Sequence, residues 1–238
     1  MKTLPKKKIG IVSGMGPLAG SDILSKILQY SAAEYGAVED LEYPEVILIS
    51  RGIDGFDNKG SVNDKFAEEV QKSIKDLNRA GADVIGISCN TAHIFYDYFN
   101  ANSDVQVINL IEEVSSCLSS GGAYKYLLMT SASTRDSKLY KKSLLDNKIN
   151  FDPVSDQAQD SLDKIIKKVM EHKLEQAGRM FSELLESFEI DGYAGIIAGC
   201  TELPLAAPYL DKSLKEKMID SNMVLAMTLT DIAYGRKK

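Results

Sequence analysis

Short apolar runs rich in β-branched residues alternate along the chain with longer segments whose apolar residues recur at helical spacing. This alternation is typical of strand–helix–strand units that build a parallel sheet, so the pattern predicts an α/β fold. It places strands at residues 8–13, 45–50, 84–88, 125–130 and 195–198, with a short strand ending near Ile219. It places helices at residues 18–35, 62–80, 92–100, 111–120, 133–146, 157–171, 174–188 and 222–234.

Two segments of the chain, residues 80–91 and 191–202, resemble each other. In both, a helix ends near a glycine, a buried strand follows, and a cysteine lies where that strand meets the next helix. The resemblance predicts two half-domains with matching cysteines, Cys89 and Cys200. Residues 119–122 form the best candidate linker, so we assign residues 1–118 to the first half-domain and 119–210 to the second. We expect the C-terminal segment, 211–238, to end in a helix that joins the first half-domain.

Composition and charge limit the partners of this chain. It has 238 residues, a net charge of −6 and scattered Lys and Arg residues, so we expect no nucleic-acid partner. No apolar run approaches the roughly 18 to 20 residues of a membrane-spanning helix, so we expect no membrane insertion. The three cysteines are widely separated and have no metal-ligand spacing, which predicts free thiols, no metal site and a cytoplasmic location.

The residues that follow each predicted strand are the first candidates for chemistry, because ligands of open α/β folds bind at the carboxyl ends of the strands. These candidates are residues 13–17, 50–54, 89–93, 130–134 and 200–204. A cysteine at a strand-to-helix junction lies near backbone N–H groups that stabilise a thiolate, so Cys89 and Cys200 are candidate bases. The alternative is that both are small buried apolar residues, which is the common fate of a free cysteine.

The glycine-rich start of the chain does not match a nucleotide site. The glycines at positions 10, 14, 16 and 20 depart from the dinucleotide fingerprint, and the chain has no phosphate-binding loop. Residues 13–17 are better interpreted as a tight turn that lets a small ligand approach backbone N–H groups, with Pro17 starting the helix. The alternative is a turn that serves packing alone.

Three motifs resemble the aspartate racemase branch of the aspartate/glutamate racemase family: IGIVSGMGPLA at residues 9–19, CNTAH at 89–93 and GCTELPL at 199–205. The resemblance covers nearly the whole chain. It implies a pyridoxal-independent enzyme that needs no cofactor, with two pseudo-symmetric α/β half-domains and its active site in the cleft between them. It also implies a homodimer, an amino-acid substrate, and Cys89 and Cys200 as the catalytic pair.

The resemblance implies further site residues. It gives as substrate-binding residues Met15, Gly16, Asn90, Thr91, Thr130, Ser131, Ser133, Thr201 and Glu202. Glutamate racemases usually carry His where Glu202 stands. Members of the family commonly bind the side-chain carboxylate of the substrate with an Arg after the second strand. Counted from Pro44 without gaps, the position of that Arg falls at Asp57 in this chain. Arg51 is our candidate for that role, and the alternatives are Lys59, a site that takes a less acidic side chain, and Arg51 as a solvated surface residue. Lys173 is our candidate for a second basic residue, which the family carries late in the helix after Gln157. Counted without gaps, that position falls at Met170, beside Lys168.

These observations lead to one main hypothesis, a cofactor-independent racemase that interconverts L- and D-aspartate by proton transfer between two cysteines. Glutamate, broad-specificity or hydantoin racemisation on the same scaffold is an alternative, and so is a non-catalytic dicarboxylate-binding protein. A thiol redox role is disfavoured, because cysteines on opposite walls of a cleft would lie too far apart to bridge. We expect His93 at a helix N-terminus or a site rim, and Cys117 as a packing residue.

Overall fold

The computed structural model describes residues 4–55, 62–120 and 124–237. The chain divides into two compact units. Unit 1 comprises Met1–Glu113 and Asn222–Lys238, and unit 2 comprises Val114–Ser221. Each unit is built on a four-stranded parallel sheet with flanking helices, which confirms the α/β class. None of the helices within the described ranges is long and apolar enough to cross a membrane.

The strands are β1 (Ile9–Ser13), β2 (Val46–Ser50), β3 (Val84–Ile87), β4 (Gln106–Val107), β5 (Lys125–Thr130), β6 (Asn150–Pro153), β7 (Gly195–Gly199) and β8 (Met218–Asp220). The helices are α1 (Pro17–Tyr35), α2 (Asp64–Arg79), α3 (Tyr96–Ala101), α4 (Leu110–Ser116), α5 (Ala132–Asp136), α6 (Leu139–Asp146), α7 (Asp156–Met170), α8 (Leu174–Glu186), α9 (Leu203–Ala206), α10 (Lys212–Lys217) and α11 (Ser221–Ala233). Short 3-10 turns lie at Asp40–Glu42, Thr91–Phe95, Ile190–Gly192 and Ala207–Tyr209.

The two sheets repeat one topology. Unit 1 has the strand order β2-β1-β3-β4 and unit 2 the order β6-β5-β7-β8, with every pairing parallel. The strands that precede the two candidate cysteines, β3 and β7, therefore occupy the same place in their sheets. The internal resemblance seen in the sequence thus corresponds to two sheets with the same strand order.

The sheet of unit 1 is covered on both faces, as a parallel sheet requires. On one face, Val12, Ile85 and Ile87 pack in a buried cluster with Phe66 and Val70 of α2. On the other face, Gly86 leaves the space that Leu225 and Leu229 of α11 fill. Full burial of each such aliphatic or aromatic side chain stabilises the fold by about 1.5 to 3 kcal/mol.

Several elements differ from the prediction, for local reasons. The helix expected over residues 133–146 is two helices, α5 and α6, because Lys138 adopts a left-handed conformation with φ of 60°. The helix expected over 92–100 begins as the 3-10 turn Thr91–Phe95. Strands β4 and β6 were not predicted, and neither were α9 and α10. Of the proposed linker, residues 121 and 122 lie outside the described ranges.

Candidate active site

Cys89 follows β3 and lies in a buried part of unit 1. Its side chain is 5% exposed and belongs to the same apolar cluster as Met15, which follows β1. Asn90 and Thr91, the next residues along the chain, are also buried. The fold therefore brings Met15 and Cys89, both predicted site residues, to one end of the unit 1 sheet.

His93 connects the Cys89 turn to the loop before α4. Its Nδ1 lies 2.9 Å from the Cys89 carbonyl oxygen, and its Nε2 lies 3.2 Å from the Leu110 amide nitrogen and 3.3 Å from the Ile108 carbonyl oxygen. A neutral imidazole fits the two shorter contacts: Nδ1–H donates to Cys89, and Nε2 accepts from Leu110. Burial lowers the pKa of His93, which also favours this neutral form.

The prediction that His93 lies at a helix N-terminus or a site rim needs correction on the second point. His93 is within the first turn of the 3-10 segment, but its side chain is only 3% exposed. The imidazole is buried because both of its nitrogens contact backbone atoms of Cys89, Ile108 and Leu110. Cys117 also differs from the prediction: α4 ends at Ser116, and Cys117 is exposed rather than packed.

The β1–α1 loop is held close to the end of β2. Gly14 has φ of +111°, and a Cβ at this position would overlap the backbone carbonyl of Arg51. The Arg51 amide donates to the Ser13 carbonyl at 3.2 Å. Gly16 is the extended N-cap residue of α1, followed by Pro17 at the first helical position. This loop is the tight turn that the sequence predicts.

Arg51, the predicted partner of the substrate's side-chain carboxylate, is bonded to α2. Its guanidinium donates to Asp76 Oδ2 at 2.6 Å and to Ser73 Oγ at 3.3 Å. The hydrogen bond from Arg51 is the main cause that lowers the pKa of Asp76. Arg51 therefore anchors the end of β2 to α2. Its alternative, Lys59, lies outside the described residues, as does Asp57.

Cys200 follows β7 and is bonded to the carboxylate of Glu202. The Cys200 thiol donates to Glu202 Oε2 at 3.0 Å, and the Thr201 hydroxyl donates to the same oxygen at 3.0 Å. All three side chains are at most 7% exposed. A buried carboxylate is costly unless donors satisfy it, and these two side chains supply donors. Glu202, predicted to bind substrate, is thus a partner of Cys200.

The hydroxyl loop (Thr130, Ser131 and Ser133) lies beside Cys200 in unit 2. Thr130 is the last residue of β5 and pairs in register with Gly199, which precedes Cys200. Ser131 is the N-cap of α5 and accepts from the Thr134 amide at 3.4 Å. Ser133 is half-buried in the first turn of that helix. The fold therefore brings the predicted hydroxyls and Cys200 to the same end of the sheet.

Two residues of α7, which sequence reasoning missed, hold the hydroxyl loop in place. Gln159 Nε2 donates to the Thr130 carbonyl at 2.9 Å and to Asp163 at 3.0 Å. Asp163 accepts from the Ala132 amide at 3.3 Å. Residues four apart lie on one face of a helix. The spacing of Gln159 and Asp163 in the sequence is therefore the feature from which this pair could have been predicted.

Lys173 lies at the connection between α7 and α8. It is the exposed N-cap residue of α8, and its ammonium group bonds Glu171 at 2.9 Å. Lys168 and Lys173 together lower the pKa of Glu171 to about 2, with Lys168 as the larger cause. These ion pairs place Lys173 at the α7–α8 connection, whereas Cys200 lies between β7 and α9. Within the described parts of the chain, no group of three His, Cys, Asp or Glu side chains is arranged to hold a metal ion.

Comparisons with known proteins agree on one family. The family model for Asp/Glu/hydantoin racemases matches residues 12–229. The chain is 27% identical over 232 residues to the broad specificity amino-acid racemase RacX of Bacillus subtilis (strain 168), covering 95% of this chain and 99% of that protein. Its structure is similar to that of Picrophilus torridus aspartate racemase, with a TM-score of 0.81, 26% identity, and coverage of 98% and 96% of the two chains. An aspartate racemase homologue from Pyrococcus horikoshii OT3 gives a TM-score of 0.76, 26% identity, and coverage of 96% and 99%.

Proposed function

The chain belongs to the Asp/Glu/hydantoin racemase family, and on this premise we propose that it interconverts L- and D-aspartate without a cofactor. Cys89 and Cys200 are the two acid–base catalysts of this proposal. The observation that carries it is the position of the two thiols. Each follows the third strand of a four-stranded sheet, in two units that share one strand order.

Racemisation explains why two thiols are needed. Inverting an α-carbon means removing a proton from one face and delivering a proton to the other, which one base cannot easily do. A thiolate at one cysteine takes the α-proton while the thiol at the other donates, and their roles exchange in the reverse direction. The α-proton is a weak acid, so hydrogen-bond donors to the substrate carboxylate offset the developing charge. Backbone amides and the hydroxyl loop are our candidates for these donors.

Aspartate is the preferred substrate in this proposal because, of two structural neighbours at 26% identity, one is named an aspartate racemase and the other an aspartate racemase homologue. One observation favours a second candidate, a racemase of broad specificity. Arg51 and Lys173, the basic residues predicted to hold a side-chain carboxylate, are paired with Asp76 and Glu171. A site without a dedicated cation would accept uncharged amino acids, as the name of the Bacillus relative describes for that protein.

Exchange of the α-proton in D₂O tests both the reaction and the substrate. The enzyme is incubated under reducing conditions with L-aspartate, L-glutamate and a panel of neutral amino acids, and NMR follows loss of the α-proton signal. We expect exchange on aspartate with D-aspartate accumulating. Exchange across the panel favours broad specificity. Stabilisation by aspartate in a thermal shift assay, without exchange on any substrate, overturns the enzyme proposal in favour of a binding protein.

Single substitutions test the two-cysteine mechanism. We expect Cys89→Ala and Cys200→Ala each to lower racemisation by about 10² to 10⁴-fold, the usual contribution of one acid–base group. Cys117→Ala is the matched control, since Cys117 is an exposed thiol outside the proposed site, and we expect it to retain wild-type rates. A Cys89→Ala enzyme with full activity in both directions contradicts the mechanism.

A further inference from the structure

The two cysteine segments differ in charge although their strands match. Cys89 is followed by Asn90 and Thr91, and Cys200 is followed by Thr201 and Glu202. At the second position after the thiol, one unit therefore carries a hydroxyl and the other a carboxyl group. Because β3 and β7 hold the same place in their sheets, this is a difference between two equivalent positions.

The Glu202 carboxylate is placed to accept a hydrogen bond from the Cys200 thiol. An ionised carboxylate only accepts hydrogen bonds, so with Glu202 in that form the 3.0 Å contact is a hydrogen bond that the Cys200 thiol donates. Loss of this hydrogen would leave two negative charges about 3 Å apart in a buried site, where charges interact strongly. The Thr201 hydroxyl donates to the same oxygen at 3.0 Å, so this oxygen accepts hydrogen bonds from two neighbouring side chains.

Among the described residues, contacts and strand register identify three groups near Cys200 on neighbouring elements: Tyr140, Thr130 and Asp220. Tyr140 of α6 packs against Gly199, and burial, together with its interaction with Cys200, raises its pKa, so its phenol stays neutral at physiological pH. From β5 the nearest register partner is the uncharged Thr130. From β8, Asp220 pairs in register with Ala198, two residues before Cys200, and its negative charge would act in the same direction as Glu202.

We infer that Glu202 is a positioning residue that keeps Cys200 in the thiol form in the resting enzyme, so that Cys200 starts the reaction as the acid and Cys89 as the base. The assignment of acid and base rests on the proposed racemase function. The proton balance is simple: the Cys89 thiolate takes the α-proton, and Cys200 gives its thiol proton to the opposite face. One turnover leaves a Cys89 thiol and a Cys200 thiolate, and the resting enzyme is restored when Cys89 loses a proton to solvent and Cys200 gains one, or when the reverse reaction runs.

The pH dependence of alkylation tests this inference without turnover. The full-length protein is treated with iodoacetamide over a pH series, and mass spectrometry of the two cysteine peptides gives the rate at each thiol in the same sample. In the wild-type protein we expect the midpoint of the Cys200 profile to lie at higher pH than that of Cys89. A wild-type Cys200 midpoint at or below the Cys89 midpoint overturns the inference, whether or not any variant folds.

Glu202→Gln then tests the cause. The amide has the size of the carboxylate but no charge, so we expect the Cys200 midpoint to fall by at least about one pH unit, which is tenfold more thiolate at a given pH. The Cys89 profile in the same sample is the internal control and should not move. An unchanged Cys200 midpoint, or an equal shift of both thiols, contradicts the role of Glu202. Because alkylation needs no substrate, failure of this test is distinct from failure of the racemase proposal.

Discussion

At the residue scale, His93 makes the stability of the Cys89 turn depend on pH. The usual pKa of a histidine is 6.5, and burial lowers the pKa of His93 in the folded protein. Below about pH 6.5 the unfolded chain therefore binds a proton that the folded chain does not. The free energy of unfolding must fall as the pH drops from 6.5 towards the lower pKa of the folded state. For one proton the slope is at most about 1.4 kcal/mol per pH unit.

His93→Asn should remove this dependence. The Asn side chain does not titrate, so we expect the free energy of unfolding of the variant to change less steeply between about pH 6.5 and pH 5 than that of the wild-type protein. The variant should also be less stable by about 1 to 3 kcal/mol at neutral pH, because the Leu110 amide loses its acceptor. Urea unfolding at a series of pH values measures both effects.

His172→Asn is the matched control for this experiment. His172 is the other histidine of the chain, it is exposed, and its φ of 58° is one that Asn tolerates. We expect this variant to keep the wild-type pH slope. Equal slopes in all three proteins would mean that His93 gains its proton as easily in the folded state as in the unfolded state.

The sequence identifies candidate side chains but not the groups with which they form hydrogen bonds. The location of Cys89 and Cys200 after a strand was predictable, because it depends only on where β3 and β7 end. The hydrogen bond of Arg51 was not predictable, because its partner Asp76 is 25 residues further along the chain and on another element. The link between Cys200 and Glu202 is local in sequence, yet only burial of both groups makes it chemically important.

At the element scale, the junction of β1 with α1 depends on Gly14. The φ of +111° is unfavourable for a side chain, and a Cβ there would overlap the Arg51 backbone. We expect Gly14→Ala to displace the end of β2 from this loop and to destabilise unit 1 by more than the roughly 1 to 2 kcal/mol that a left-handed conformation alone costs. Thermal or urea unfolding measures the change.

Gly36→Ala separates conformational strain from overlap. Gly36 ends α1 with φ of +65°, and a Cβ there would meet no atom within 4 Å. We expect this variant to lose only the conformational cost, about 1 kcal/mol. If both alanine variants are destabilised equally, the close approach of Arg51 does not constrain the loop.

Elements with strong periodicity were predicted well, and short edge elements were not. Strand β5 has the predicted bounds, Lys125–Thr130, because a buried parallel strand needs a continuous apolar run. Strand β6 has the sequence NFDP, which contains two polar residues and a proline, and it is formed only because β5 pairs with it. Strand β4 has two residues, too few to give any pattern. Edge strands of this kind are determined by tertiary pairing rather than by local preference.

At the scale of the whole molecule, unit 1 is formed from two distant parts of the chain. Its sheet lies before Glu113, whereas α11 begins at Ser221, the last residue of unit 2. Leu225 and Leu229 of this helix are fully buried and fill the space above Gly86. Tyr35 of α1 stacks on Tyr234 just after α11, with ring centroids 3.8 Å apart, and donates to Asp231 at 2.7 Å. One face of the unit 1 sheet therefore stays exposed until α11 has been synthesised.

Removing α11 should consequently unfold unit 1 and spare unit 2. We expect a chain that ends at Asp220 to lose the slow amide exchange of β1 and β3, because the loss of several buried side chains is comparable to the roughly 5 to 15 kcal/mol stability of a typical domain. Strands β5 and β7 should stay protected, since the strands of their sheet all precede residue 221.

A chain that ends at Tyr234 is the control. It loses the surface ion pairs of Arg236 with Glu34 and of Lys237 with Glu113, which contribute little to stability, and it should keep both sheets protected. Hydrogen exchange with mass spectrometry distinguishes these outcomes. Protected β1 and β3 amides in the shorter chain would mean that unit 1 folds without its C-terminal helix.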